Sequence, residues 1–501
     1  MWAARFTCGL QTIGPAAVTT DRMKSRGVSG SRAFQFTCLG LILLTSGTLR
    51  ALSASGDLWL DELWSLSFAL GTDSIWEVLV GINHDNNHWL NTIYLRLVGD
   101  VDDLILYRGL AVLTGIGTVL VAMLGHLRKG LFVTVTVGTL LGFSHILVHF
   151  QSEARGYGPA IFFAVCAYVA LERFMEERRR LFGALFSVSA TLALLSQLTF
   201  VWVFAGLAAW SWAALSRDGR DRAPGTGRKS LLRWLGLHVA PGLTILFLLL
   251  FDVRYWTIGG SHPNPTGAAL ESLTRLSVGA IGPSWLVATV GVAIVVVMLV
   301  EVVRMFRHSD PRAWFFAIAV FIGPGAFILL MNLAFLYPRY LVLSVPFALL
   351  LLAQPLNRLH LRPGGQRTVW ATILVLFLAL NLSHTQTLIA DGRGQYQDAL
   401  TYILDSSEGE EVAVAVSSET PQGSVIEFYA NRIEGGDRLA TIELKEFDTP
   451  PSWILVQRVG ETVPPADALL AADSYSFEFH RRFPHSGPSG WTWDTYRLRE
   501  H

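Results

Sequence analysis

The sequence predicts a multi-pass α-helical membrane protein of about eleven transmembrane helices, followed by a small C-terminal α/β domain. Three observations predict it. Hydrophobic residues make up 51% of the 501 and charged residues only 16%, against roughly 25% charged in a soluble domain. Apolar windows of the roughly 20 helical residues that cross a bilayer core of about 30 Å recur through the first four fifths of the chain. Beyond residue 391 the pattern changes to short alternating runs.

The windows are, in order, 35 to 53, 104 to 125, 131 to 150, 156 to 171, 181 to 196, 198 to 215, 232 to 251, 284 to 303, 314 to 335, 339 to 355 and 369 to 386. The fifth and sixth divide one long hydrophobic run at Ser196-Gln197-Leu198-Thr199. Lys and Arg in short loops mark the cytoplasmic side. Here they fall in alternate connections: Arg22, Lys24, Arg26 and Arg32; Arg128 and Lys129; Arg173 and Arg178; Arg217, Arg228 and Arg233; Arg304, Arg307 and Arg312; Arg358, Arg362 and Arg367. The opposite side opens with an acidic loop, 54 to 103, carrying Asp57, Asp61, Glu62, Asp73, Glu77, Asp85, Asp100, Asp102 and Asp103 against Arg96. An odd number of crossings then places the C-terminus outside.

Residues 1 to 34 read as a cytoplasmic arm and 35 to 388 as the transmembrane module. The basic arm, the apolar stretch and Ala51-Leu52-Ser53-Ala54 also fit a cleaved signal peptide. The arm is long for one, and a retained helix would tether the acidic loop. Residues 391 to 501 read as an extracytoplasmic α/β domain, with strands at Val412–Val416 and Trp453–Val456 and short helices from Tyr396 and from Gly423. Basic and acidic residues balance at 39 each, so nothing in the charge points to nucleic acid. Cys8, Cys38 and Cys166 form no CxxC or Cys/His cluster, which argues against a disulfide framework or a structural zinc site.

Polar groups concentrate in two external connections. The first contains Trp59-Leu60-Asp61-Glu62-Leu63-Trp64, then His84-Asp85-Asn86-Asn87-His88-Trp89-Leu90-Asn91; the second reads His149-Phe150-Gln151-Ser152-Glu153-Ala154-Arg155-Gly156-Tyr157. Adjacent carboxylates beside Trp suit a general base in a partly dry site, where desolvation raises basicity. They equally suit a helix first turn, where they complement the dipole.

His145 and His149, four apart on one helix face, could form a divalent-metal site with Glu153, or else be interfacial groups bonded to loop backbone. Trp256, Trp285, Tyr337 and Tyr340 read as an interfacial belt. No metal or other cofactor is required by the sequence.

Five features occur in order: Trp59-x-Asp61-Glu62, the His88-centred segment before an apolar helix, Tyr107-Arg108, Ser152-Glu153-Ala154-Arg155-Gly156-Tyr157, and Tyr337-Pro338-Arg339-Tyr340-Leu341. Together they resemble the polytopic GT-C glycosyltransferases, specifically the bacterial branch of protein mannosyltransferases and lipopolysaccharide-sugar transferases. The resemblance implies an enzyme of the bacterial inner (plasma) membrane with its site on the extracytoplasmic face. It implies a polyprenyl-phosphate sugar donor and a lipid, glycan or protein acceptor. Asp61 then matches the catalytic base and Glu62 its supporting carboxylate, Arg155, Arg339 and Tyr340 line the donor phosphate, and Glu153, His84, Asp85, His88 and Asn91 contact substrate. Two segments depart from the family: His88-Trp89-Leu90-Asn91 replaces the usual His-Pro-Pro and Tyr, and Ser196-Gln197-Leu198-Thr199 replaces a Thr-His-Tyr-like turn. A transporter or lipid flippase is the main rival, but such proteins place ionisable groups near the membrane midplane, and these windows are nearly free of central charge. A non-catalytic, membrane-anchored envelope-assembly protein is the third reading.

Overall fold

The computed structural model describes residues 32–220, 226–257, 264–331, 336–361, 364–416, 422–444, 449–458, 469–472 and 475–499. The N-terminal arm to residue 31, with Cys8, and the loop residues Arg222, Ser261 and Arg362 lie outside the described residues. The chain is an integral membrane protein: among the described residues, eight helical segments are long and apolar enough to cross a bilayer.

A helix stands at each apolar window. In chain order the helices before the connection at residues 151–156 are α1 (Arg32–Ser53), α2 (Leu60–Leu70), α3 (Ile75–Val80), α4 (Trp89–Val98), α5 (Ile105–His126), α6 (Leu131–Phe143) and α7 (His145–Phe150). There follow α8 (Tyr157–Glu177), α9 (Arg180–Ser196), α10 (Phe200–Arg220), α11 (Thr226–Phe251), α12 (Thr266–Val278) and α13 (Ser284–Arg307). The last of the module are α14 (Arg312–Phe316), continued by a wider π-type turn into α15 (Gly323–Met331), then α16 (Pro338–Leu341), α17 (Val345–Leu361) and α18 (Gly365–Asp391). The eight spanning segments are built on α1, α5, α8, α11, α13, α14 with α15, α16 with α17, and α18, while α6 and α9 are shorter apolar helices. The bundle core is aromatic, with Tyr168 packed among Trp210, Phe315 and Phe347.

One break in the bundle positions the site. The third apolar window is interrupted at Ser144, leaving the last α6 carbonyls without helical partners. Buried Arg50 of α1 satisfies them, with Nη1 donating to the Gly142 carbonyl at 2.8 Å and Nη2 to that of Leu141 at 3.1 Å. The same guanidinium donates to Gln151 Oε1 at 3.0 and 2.7 Å, so the loop after α7 is fixed to the membrane helices where it leaves them.

The acidic first loop is folded rather than extended: α2, α3 and α4 lie within it, with α4 packed on α2. The chain then continues through α19 (Tyr396–Asp405), β1 (Val412–Val416), α20 (Ser424–Ala430), β2 (Leu439–Glu443), β3 (Trp453–Arg458), β4 (Leu469–Ala472), β5 (Tyr475–Phe483) and β6 (Thr492–Leu498). These strands form one sheet in the order β2-β1-β3-β6-β5-β4, parallel between β1 and its two neighbours and antiparallel elsewhere. Leu58, Trp59 and Leu63 of the first loop share a hydrophobic cluster with Tyr396, Leu400 and Tyr429 of this unit. Tyr429 also pins Leu58 by backbone contacts, accepting from its N–H at 2.6 Å and donating to its carbonyl at 3.1 Å.

Candidate active site

The start of α2 sets the geometry. Successive helical residues are about 100° apart, so Asp61 and Glu62 cannot face the same way. Glu62 turns inward and is fully buried. It accepts from Arg108 Nε at 2.8 Å and Nη2 at 2.6 Å, from the Ala154 N–H at 2.7 Å and from the Trp59 N–H at 3.2 Å. The Trp59 contact is the third-residue carboxylate reaching back to the start of its helix. Glu62 thus knots α2, α5 and the second connection together, a scaffolding arrangement.

Asp61 turns to the other side and remains 9% exposed. Two guanidiniums converge on one of its oxygens. Arg339 Nη1 donates to Oδ2 at 3.0 Å, and Arg155 Nη1 lies 2.9 Å from the same atom but off the hydrogen-bond axis. Both cations rest on aromatic faces: Arg155 over Tyr157 and Trp59, at 4.9 and 5.7 Å from the ring centres, and Arg339 over Tyr337 and Tyr340, at 4.8 and 5.5 Å. Asn86 orients the pair, accepting from Arg155 Nη2 and donating Nδ2 to the Asp61 carbonyl at 2.8 Å. Two cations on one carboxylate leave an excess positive charge, suited to a further anion with planar or tetrahedral oxygens.

Buried polar groups without partners gather around this pair. They are Arg155 Nε, Trp59 Nε1, His88 Nε2 and Asn91 Oδ1. Such groups are rare in folded interiors and mark where a ligand completes the bonding. The His88 ring bonds to the Ser196 carbonyl, and burial, with the Arg155 charge second, pushes its pKa well below the ordinary histidine value. Gly156 is needed here, because a Cβ would overlap the Ser196 carbonyl and crowd His88.

The other sequence-derived residues are placed differently. Asn91 is buried and donates Nδ2 to the Ala154 carbonyl at 2.8 Å, holding the second connection. His84 pairs with Asp85 at 3.1 Å, packs against Trp64 and Phe68 of α2, and bridges to Thr257. Glu153 is fully buried against His149 Nε2 at 3.1 Å and Arg393 Nε at 3.3 Å. Burial raises its pKa, and His149 and Arg393 outweigh that and hold it below the usual carboxylate range. Glu153 is thus an ion-pair partner of Arg393.

The metal expectation for His145, His149 and Glu153 does not fit the geometry. His145 Nδ1 meets Thr385 Oγ1 at 3.1 Å, and His149 Nε2 is engaged by Glu153 and by Ser489 Oγ at 3.0 Å. Among the described residues no group of three or more His, Cys, Asp or Glu side chains converges on a point that a cation could occupy.

Arg108, Arg393 and Asn86 are residues of the candidate site that sequence reasoning missed. Arg108 was visible only as part of the Tyr107-Arg108 pair; its partner lies 46 positions away. Arg393 stands between α18 and α19 and donates to the Ser53 and His149 carbonyls at 2.9 and 2.8 Å. An apolar groove of about 530 Å³ runs beside the site between α12, α13 and α17, and Leu341, next to Tyr340, is part of its wall.

No protein-family model matches the sequence, and no curated protein is similar to it. Solved structures are. ArnT from Cupriavidus metallidurans in the apo state aligns over 83% of this chain and 87% of its own, with 11% identity and a TM-score of 0.50. The same protein bound to undecaprenyl phosphate aligns over 93% and 98%, with 12% identity and a TM-score of 0.49. The Archaeoglobus fulgidus oligosaccharyltransferase tethered to an acceptor peptide aligns over 82% of this chain and 64% of its own, with 12% identity and a TM-score of 0.46. The chain therefore has the fold that ArnT from Cupriavidus metallidurans displays in its apo state.

Proposed function

We propose that the protein transfers a sugar from a polyprenyl-phosphate donor to an acceptor on the extracytoplasmic face of the bacterial inner membrane. The observation that carries this reading is the convergence of Arg155 and Arg339 on Asp61. It stands beside an apolar groove of a size ordinary for a small-molecule site. The shared fold supports the same class of reaction.

Inverting displacement at an anomeric carbon needs a base facing the acceptor and cations facing the departing phosphate. Asp61 takes the acceptor proton as the new glycosidic bond forms. The bond from the anomeric carbon to phosphate oxygen breaks, and the charge left on the lipid phosphate is received by Arg155 and Arg339. The guanidinium hydrogen bonds are then divided between Asp61 and phosphate, which keeps the base and the leaving group on one frame. Neutral His88 presents Nε2, and Trp59 presents its indole N–H, to hydroxyls of the sugar or acceptor. The groove beside Leu341 takes the polyprenyl chain. Glu62 with Arg108, and Glu153 with Arg393, are positioning residues that hold the two connections in register.

The test is a strain lacking the protein, analysed by mass spectrometry of its lipid-linked sugars and envelope glycans. A polyprenyl-phosphate sugar should accumulate and one glycan modification should disappear. If neither pool changes under conditions in which the protein is expressed, the transferase reading fails.

A further inference from the structure

A second cavity, of about 380 Å³, opens at the other end of the bundle, among the ends of α5, α13, α14 and α17. From Arg339 to Arg358 the chain runs roughly 28 Å at helical rise, about the thickness of a bilayer core. The cavity therefore lies a membrane away from Asp61, on the face that carries the basic connections. Calling that face cytoplasmic rests on the topology in the proposed function; the cavity itself does not.

Its permanently charged side chains are of one sign. Lys129, Arg304, Arg312 and Arg358 all line it. Their counter-charges stand behind them: Lys129 and Arg312 on Glu172 at 2.8 and 3.1 Å, Arg312 also on Asp310 at 2.6 Å, and Arg358 and Arg304 on Glu301. Among the described residues none of these three carboxylates lines the cavity. Four cations are thus set against three carboxylates, and Arg304, 3.6 Å from Glu301 and with 45% of its side chain exposed, is the least engaged. Asn357 contributes a buried Oδ1 without a partner. The rest of the wall combines apolar Val133, Val137, Phe316, Leu350 and Ala353 with His126, Tyr168 and Gln354.

We infer that this cavity is an anion site for a phosphate group, and that the phosphate is carried on a glycerophospholipid of the adjoining leaflet. A basic pocket between membrane helices on the cytoplasmic side matches lipid headgroups in charge and position. The apolar side chains accept the start of the acyl chains, and Asn357 Oδ1 accepts a hydrogen bond from a headgroup hydroxyl. The carboxylates behind the cations keep the empty pocket from repelling itself open, and they leave guanidinium and ammonium donors free to turn to phosphate oxygens.

The test uses the full chain in detergent. Phosphatidylglycerol binding is titrated by native mass spectrometry, and inorganic phosphate is titrated by thermal shift. The wild type is compared with Lys129→Gln/Arg304→Gln and with Arg307→Gln, which alters an exposed residue of α13 outside the cavity. Each lost cation should weaken phosphatidylglycerol binding about fivefold, so the double variant should bind about 25-fold more weakly and Arg307→Gln should be unchanged. Equal binding by the double variant and the wild type overturns the site. An equal loss in Arg307→Gln reduces it to general surface charge and overturns it as well. A phosphate-induced shift that needs Lys129 and Arg304, without phosphatidylglycerol binding, overturns the lipid source. None of these readouts involves sugar transfer, so failure here is distinct from failure of the proposed function.

Discussion

Neutralising Asp61 should have two effects of opposite sign. On the proposed function Asp61 competes with the donor phosphate for Arg155 and Arg339, whose nitrogens lie 2.9 and 3.0 Å from its Oδ2. A phosphate oxygen on the far side of a shared guanidinium would sit about 6 Å from that carboxylate, where two unit charges repel by about 2.8 kcal/mol at an effective dielectric of about 20. At about 1.4 kcal/mol per tenfold that is roughly 100-fold in affinity. The Asp61 side chain is 12% and that of Arg339 18% exposed, so solvent screening brings the expected gain to between about tenfold and 100-fold. Asp61→Asn should therefore bind undecaprenyl phosphate more tightly than wild type. Turnover should fall by about 10²- to 10⁴-fold, the usual contribution of a positioned base. Binding can be followed by quenching of tryptophan fluorescence, since Trp59 lies against Arg155, and turnover by transfer from polyprenyl-phosphate sugars extracted from native membranes. Weaker lipid binding in Asp61→Asn would show that the carboxylate organises the cations rather than competing for them. Undiminished transfer would remove Asp61 from the chemistry.

Glu62→Gln leaves Arg108 buried without its anion and should destabilise the fold by about 3–5 kcal/mol, read as an earlier loss of helical signal on heating; an unchanged melting profile would refute the scaffolding part given to Glu62. Arg339→Lys should weaken undecaprenyl phosphate binding, because an ammonium has no planar fork, and full affinity in the lysine variant would exclude a bidentate contact. Burial, with His149 nearby, holds His485 down at about 4; since the fold favours neutral His485, its contribution is complete above 6.5 and is lost as pH falls from 6.5 through 4. Asp57, pushed up to about 6 chiefly by burial, works the opposite way, gaining stability as pH falls from 6. Proteolytic protection of residues 484 to 491 should thus drop between pH 7 and pH 5 in wild type and drop less in His485→Gln, and identical profiles would exclude His485. Cysteines placed at Ser55 and Ser406 should react with an impermeant reagent in intact cells and cysteines at Ser216 and Ser309 should not; protection of Ser406 with reaction of Ser55 would put the sheet inside.

What was legible in the sequence follows the range over which the responsible forces act. A helix that meets lipid must be apolar along its own length, so hydropathy located α1, α5, α8, α11 and α13 without any knowledge of their neighbours. The interruption at Ser144 was not legible, because the guanidinium that makes it tolerable comes from Arg50, more than 90 positions earlier. The same distinction divides the candidate site. Asp61, Arg155 and Arg339 each lie in a short motif and could be singled out one at a time. That two of them share a single oxygen of the third is a tertiary fact, with 278 positions between Arg339 and Asp61.

Adjacent residues of like chemistry show the limit most plainly. Asp61 and Glu62 are indistinguishable by composition and nearly so by position. One turn angle of about 100° sends the first toward Arg155 and Arg339 and the second into the interior, where Arg108 and two backbone N–H groups enclose it. Glu153 and Arg155 divide in the same way, two positions apart: Glu153 is claimed by Arg393 from the chain beyond α18, while Arg155 stays with Asp61. In both pairs the inward member ties distant segments together, and this is why the outward member can be held in place. Glu62 and Glu153, through Arg108 and Arg393, thus fix the spacing of Asp61 and Arg155, and a substitution at Glu62 or Arg393 should disturb the site as surely as one at Asp61, through geometry instead of charge.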